Sequence, residues 1–227
     1  MSFRSYLEKL GAQGRLTTVK KPVSRKLEAS AILNGLGERP VLFEKITGSG
    51  FRVAGNIFGT KGQVAAYFGI DEYSEGARSQ VSVGEAHPEG MLPPKARLSI
   101  AKGFSPRSIH AGGLIQKITR AIEHPTLPEE VKNAPCQEVE FGEIDLDKLP
   151  ILFHCGGDGG NYISSGVFIT RDKDGIQNVD FHRAMQIGKN KFSIRVVRDR
   201  HFDQLLKKNE ELNVAVCVGN APNVLIA

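Results

Sequence analysis

Cysteine is scarce in this chain of 227 residues. Cys136, Cys155 and Cys217 are the only three, and no CxxC pair is present. An odd, widely spaced set excludes a disulfide framework and fits a reducing cytoplasm. Long apolar runs are missing too. No stretch of about eighteen apolar residues is available to span a membrane. The N-terminus, MSFRSYLEKL, lacks the apolar core of a signal peptide. There is no Walker loop, no dinucleotide fingerprint, no internal repeat and no low-complexity segment, and the GSG at Gly48 reads only as a turn. Charge of one sign is also in short supply. A net charge of +5 is far below that of a dedicated nucleic-acid binder, and no aromatic-interleaved basic patch supports one. A mild positive excess suits an acidic small substrate or a phosphate-bearing cofactor.

What is present is an ordinary globular composition, 40% hydrophobic and 24% charged. The length allows one large domain or two small ones. Phe3, Tyr6, Leu7 and Leu10 fall at helical spacing behind Ser2 as a cap, with Gly11 as a stop. Leu16 to Val19 reads as a strand. Ser24 caps a second helix running to Leu36. Val41 to Phe43 and Phe51 to Ile57 read as strands, and Thr60 with Gln63 forms a capping-box start for a helix to Phe68. Alternating strands and helices predict a mixed α/β domain. Residues 71–106 carry Gly and Pro with little periodicity, and His87 reads as a loop histidine. Ile115, Ile118 and Ile122 mark a helix that ends near Pro125, with Glu123 and His124 as its charged end. The Pro- and Glu-rich stretch from Pro125 to Pro135 reads as a linker. The predicted division is therefore 1–125 and 126–227.

In the second part, Cys136 to Phe141 reads as a strand. Glu138, Glu140, Glu143, Asp145 and Asp147 read as its solvated acidic edge. Val214 to Val218 reads as a buried strand, with Gly219 ending it and Pro222 opening a helix. Between them lies the chemically richest stretch, Asp158 to His201. Val167 and Ile169 read as a strand, Asp174-Gly175 as a two-residue hairpin turn, and Ile176 to Asn178 as the return. Phe192, Ile194 and Val196 alternate with Ser193, Arg195 and Val197, so a further strand with one polar face is expected. Phe202, Leu205 and Leu206 follow at helical spacing. An antiparallel meander or small barrel with a short helix after it is the expected form.

The side chains in this stretch point to anions and hard cations. Asn178 offers an amide oxygen and His201 an imidazole nitrogen, both suited to Mn²⁺ or Mg²⁺. Arg183 is a planar cation matched to a carboxylate. Lys189, Lys191, Arg195, Arg198 and Arg200 suit a phosphate. Spacing alone favours Asn178 as a turn residue, His201 as a surface histidine and the basic run as a solvated strand face. Cys155, in HCGGDGG, reads as a packed loop thiol, with nucleophile and soft ligand as alternatives.

The pattern DGG-x-x-I, an apolar strand, N-x-x-x-x-R, GKNK and a closing R-H pair resembles the UbiD family of decarboxylases. FRSYLEKL, RPVLFEKITG, VAGNIFGTKGQVAAYFG and IDLDKLPILFHCGGDGG resemble it as well, so the likeness covers essentially the whole chain. It implies an α+β fold, with a mixed α/β N-terminal domain followed by an antiparallel split β-barrel of flavin-reductase type. It implies a reversible non-oxidative decarboxylation of an aromatic or α,β-unsaturated carboxylic acid. Prenylated FMN, Mn²⁺ (or Mg²⁺) and K⁺ would be the cofactors. A flavin prenyltransferase would supply the flavin, and a homo-oligomer is the expected assembly. Matched by position, Asn178 and His201 become metal ligands. Phe181, His182, Arg183, Arg195, Arg200 and His201 become cofactor contacts, and Arg183 also holds the substrate carboxylate. The third metal ligand and the acidic catalytic residues of the family would follow the segment ending at Ala227. The split barrel is therefore expected to be incomplete here, and the chain inactive by itself. A non-catalytic flavin-binding module or accessory subunit is the alternative. A phosphorylated unsaturated acid of isoprenoid synthesis is the alternative substrate.

Overall fold

The computed structural model describes residues 1–70, 112–126 and 129–226. The loop expected over 71–106, with His87, lies outside the described residues. The chain divides into two compact units, Met1–Thr60 with Val131–Ala227, and Lys61–Glu130.

In the first unit, the Ser2 side chain accepts from the Ser5 N–H at 3.1 Å and opens helix α1, Phe3–Ala12. That helix runs through Gly11 and stops at Gln13, with Gly14 at φ +66° beyond it. Tyr6 and Leu10 are its buried stripe. Strand β1 (Thr17–Val19), helix α2 (Glu28–Leu36), and strands β2 (Val41–Phe43) and β3 (Val53–Gly55) follow. The sheet order is β1-β2-β3, with the first pair parallel and the second antiparallel. Helix α2 starts four residues later than Ser24. The Glu28 carboxylate instead accepts from the Ser24 N–H at 2.8 Å and bridges a bend before the helix. Val23, Ala29, Val41, Phe43 and Ile46 form the core here, and Leu152 from the far end of the sequence joins them.

That last contact matters for the site. The Phe153 N–H donates to Arg25 O at 2.9 Å, the Leu27 N–H donates to Phe153 O at 3.0 Å, and Arg25 donates to the carbonyls of Asp147 and Leu149. The segment entering HCGGDGG is thus stitched to the N-terminal sheet. The Lys61–Glu130 unit holds helix α3 (Lys61–Tyr67) and helix α4 (Gly112–Glu123). Lys117 of α4 donates to Phe68 O within it.

The strand expected over Cys136 to Phe141 is not formed. Pro135 starts a single 3-10 turn, Pro135–Gln137, and Val139 and Phe141 are exposed. Proline offers no N–H to a ladder, and among the described residues no strand pairs with this segment. A second 3-10 turn, Leu146–Lys148, is capped by the Asp145 carboxylate.

Beyond it come β4 (Tyr162–Ile163), β5 (Val167–Arg171), β6 (Gln177–Phe181), β7 (Ala184–Gly188), β8 (Lys191–Ile194), α5 (His201–Lys208), β9 (Val214–Cys217) and α6 (Pro222–Ile226). These strands make two antiparallel sheets, β4-β7-β8 and β6-β5-β9, and no closed barrel among the described residues. The α+β class, with its antiparallel part left open, is therefore what the structure shows. Strand β8 is shorter than expected, ending at Ile194 before Val196. Strand β9 is not buried. It pairs with β5 along one side only, which leaves Val214 and Val216 substantially exposed.

The β5–β6 hairpin turns where expected, but over three residues, 173–175, and not two: the Asp172 N–H donates to Ile176 O and the Gly175 N–H to Asp172 O, both at 3.0 Å, and only Gly175, at φ +83°, takes the left-handed conformation. Asp172 organises that turn, its carboxylate accepting from the N–H groups of Asp174 at 3.0 Å and Ile176 at 2.8 Å. Lys208, in the last turn of α5, reaches back to the carboxylates of Asp172 and Asp174. This ties the C-terminal end of α5 to the hairpin. Burial by itself pushes the Asp172 carboxyl up. The Ile176 N–H, the Lys208 ammonium and the Asp174 N–H outweigh that and hold it below the ordinary carboxylate range. Because the folded pKa is depressed, this stabilisation is present above the unfolded value of about 3.9 and is lost as pH falls through the folded one. Asp172→Asn should therefore lower the melting temperature at pH 7 and flatten its decline between about pH 4 and pH 2. Thermal melts across that range check this, and parallel acid limbs for both proteins would refute it.

Candidate functional site

Only two residues, His182 and Arg183, separate β6 from β7, and so connect one antiparallel sheet to the other. They point opposite ways. His182 is buried at 8% exposure, whereas Arg183 is exposed and lines a cleft of about 440 Å³. That volume suits a small-molecule site.

The cleft floor follows from strand periodicity. Tyr162 of β4, Met185 of β7 and Ser193 of β8 stand opposite one another across the sheet. The last pairs in register are Ile163 with Ala184 and Ala184 with Ile194. One step further along the same registers come Ser164, Arg183 and Arg195, and all three line the cleft. Side chains two apart share a face, so Arg183 and Arg195 fall on the Met185–Ser193 side. His154, Cys155 and Asp158 complete the lining. The Asp158 carboxylate accepts from the Cys155 N–H at 2.9 Å and closes the loop that carries both. Cys155 is an exposed free thiol in this wall. Residues of the opposite parity, Asn161 and Gln186, line a second open cleft with Lys26 and Lys189 on the reverse face.

Strand β6 carries the other candidate groups. Asn178 is buried at 7% exposure and Asp180 is partly buried, whereas Val179 and Phe181 are 48% and 55% exposed. The usual alternation is inverted, with polar side chains inward and apolar ones outward. His201, the first residue of α5, has its Nδ1 2.9 Å from Asn178 Oδ1. An amide oxygen cannot donate, so in this contact Nδ1 carries the hydrogen and donates to it. In the other tautomer, the same two atoms present lone pairs to a single cation. Two ligands of Mn²⁺ or Mg²⁺ at right angles and about 2.1 Å from the ion stand about 3 Å apart, so this pair fits a hard divalent ion. Asn178 Nδ2 is buried without a hydrogen-bond partner among the described residues. No cluster of three His, Cys, Asp or Glu side chains suited to a metal occurs among the described residues. Arg200, at the N-cap of α5, is exposed beside His201.

The sequence-based candidates thus fall into three places. Asn178 and His201 touch each other. Arg183 and Arg195 share the cleft. His182 lies in the core, with Phe181 exposed on β6 and Arg200 exposed at the head of α5. Asp180 was missed. Its signal was the run Asn178, Asp180, His182 at every second position, a polar row where a half-buried strand would normally be apolar.

Comparisons with known proteins show the family to which the chain belongs. Residues 7–79 match the 3-octaprenyl-4-hydroxybenzoate carboxy-lyase N-terminal domain, and residues 129–227 match the Rift-related domain of the same enzyme family. Anhydromevalonate phosphate decarboxylase of Methanosarcina mazei is 30% identical over all of this chain and 44% of its own length. The protein of the same name from Methanothermobacter thermautotrophicus is 38% identical over 50% of this chain and 27% of its own. The UbiD-class enzyme HmfF from Pelotomaculum thermopropionicum, solved in complex with FMN, superposes with a TM-score of 0.75 at 26% identity, covering 99% of this chain and 44% of that one. An evolved dimeric form of HmfF, in complex with prenylated FMN, gives 0.76 at the same identity, covering 99% of this chain and 45% of that one. The chain belongs to the UbiD carboxy-lyase family. It spans less than half the length of the curated relatives it matches.

If Asn178 and His201 share an ion, either His201→Ala or Asn178→Ala should weaken Mn²⁺ binding by at least the roughly tenfold that even an outer-sphere partner contributes. Mn²⁺ titration followed by electron paramagnetic resonance measures this. Unchanged affinity in both variants would remove the pair from any metal site.

Proposed function

We propose that this chain forms part of a carboxy-lyase that removes CO₂, reversibly, from an aromatic or α,β-unsaturated acid. Prenylated FMN and a divalent metal would assist. The observation that carries the reading is the placement of Arg183 and Arg195 on one cleft floor, one step beyond the ladder that pairs Ala184 with Ile194. Cleaving a carboxylate from an sp² carbon leaves a carbanion of high energy. The bound flavin would supply the electron sink for it.

The work left to this chain is binding and orientation. Arg183 would hold the substrate carboxylate through two parallel hydrogen bonds, fixing the bond to be broken at a defined angle. Tyr162 and Met185 supply the apolar floor beneath it. Asn178 and His201 would hold Mn²⁺ or Mg²⁺ as a clamp for the cofactor phosphate, with the charge of Arg200 beside them. The Asn178 amide oxygen and a neutral imidazole are the hard and intermediate donors such an ion takes.

The relatives named as anhydromevalonate phosphate decarboxylases favour a phosphorylated unsaturated acid as substrate. A second guanidinium beside Arg183 is compatible with that choice, because such a ligand carries two anionic groups. An aromatic acid brings one carboxylate and would leave Arg195 to the cofactor.

Arg183→Lys in the full-length enzyme should lower kcat by about a hundredfold or more while leaving most of the bound flavin in place. Lysine keeps the charge but not the two-pronged grip, and losing a transition-state contact of about 2.7 kcal/mol costs a hundredfold. Turnover and flavin absorbance measured on the same samples test this. Parallel loss of both would make Arg183 a cofactor anchor and overturn its assignment to the substrate.

A further inference from the structure

The histidine beside the catalytic arginine faces away from the cleft. Its ring is packed edge-on between Phe168 of β5, at 5.1 Å between centroids, and Phe202 of α5, at 4.6 Å. His182 Nδ1 lies 3.1 Å from the backbone oxygen of Arg195. A carbonyl cannot donate, so Nδ1 carries the hydrogen. On the other side, Nε2 is 3.0 Å from Asp180 Oδ1, off the line of a hydrogen bond, and neither atom has another such partner among the described residues. The imidazole is therefore held on three sides, by two rings and one carbonyl.

Arg195 is the first residue past the end of β8, so the β7–β8 ladder no longer fixes its backbone. Its side chain is nonetheless part of the cleft wall. We propose that His182 is a positioning residue: its Nδ1–H anchors the Arg195 backbone from behind the sheet and thereby sets where the Arg195 guanidinium stands in the cleft. Within the two-residue link, Arg183 would meet the ligand directly while His182 acts on it through Arg195. This extends the proposed decarboxylase reading, but its structural half does not depend on that reading.

The test is a double-mutant cycle in the full-length protein, with FMN as the probe and flavin fluorescence as the readout. His182→Phe fills the space between the two rings but cannot donate. His182→Asn places an amide N–H near the old Nδ1. The first should weaken FMN binding about five- to tenfold, the size of one net hydrogen bond. The second should recover most of that loss. In an Arg195→Ala background, His182→Phe should cost less than about twofold, because coupled residues are not additive.

A second measurement needs no cofactor. The Arg195 Nε–Hε signal in a ¹⁵N-labelled sample should be sharp in the parent and in His182→Asn, and broadened or shifted in His182→Phe. Equal FMN losses with and without Arg195 would mean that the ring touches the ligand itself or only supports the fold, and would overturn the proposal. So would an Arg195 signal indifferent to His182→Phe. If the parent binds no FMN, or Arg195→Ala does not affect binding, the Arg195 signal alone decides. Should His182→Phe fail to fold, His182→Asn must keep the Arg195 signal and the FMN affinity of the parent, or the proposal falls.

Discussion

The antiparallel half of this protein depends on a two-residue crossing. His182 and Arg183 carry the chain from the sheet containing β6 to the sheet containing β7. A crossing this short leaves no slack. If β6 shifted by one residue, His182 would turn to the cleft and Arg183 to the core, because side chains alternate in an extended chain. An unpaired guanidinium in the core is too costly to tolerate, and an imidazole outside would abandon the space between Phe168 and Phe202. Register, burial and site geometry are therefore set together.

The same parity argument reaches back along β6. Asn178, Asp180 and His182 share the inward direction. They meet α5, whose Phe202 and Leu205 are buried and whose first residue is His201. Each end of α5 is tied to this hairpin, His201 to Asn178 at one end and Lys208 to Asp172 and Asp174 at the other. Burying Phe202 contributes about 1.5–3 kcal/mol and does not specify where along its axis the helix must sit. The polar ties at the two ends do. The Asn178–His201 contact is thus itself one of the two ties that place α5 on the hairpin, and the Lys208 tie at the far end supports it.

Much of this was legible in the sequence, for local reasons. Asp174-Gly175 fixed the hairpin, because a tight turn needs positive φ. The alternation of Phe192, Ser193, Ile194 and Arg195 placed Arg195 on the polar face of β8. Other features depend on partners that sequence spacing cannot show. Val139 and Phe141 alternate with acids like a strand, but among the described residues no strand pairs with them, and Pro135 breaks the approach. Val214 to Cys217 has the composition of a buried strand and is exposed because little covers it in this part of the fold. The hydrogen bond from His182 to Arg195 joins residues thirteen apart across a sheet boundary. No periodicity announces such a contact. Position alone made His182 a cofactor neighbour, whereas its burial between two aromatic rings became visible only with β5 and α5 in place.

The pairing of Arg183 with Arg195 is hard to explain as a device for stability. Both lie one step beyond the last paired residues, Ala184 and Ile194, on one cleft wall, where like charges repel. The acid that lines the same cleft, Asp158, accepts from the Cys155 N–H in the loop it closes. Neither guanidinium makes an ion pair with a carboxylate among the described residues. A fold selected for stability alone would place a threonine or a glutamate at one of these positions. Two facing cations over a floor of Tyr162 and Met185 make sense when an anion completes them, because each charge then gains a partner in a partly desolvated site. An anion bound between the two guanidinium groups would relieve that repulsion.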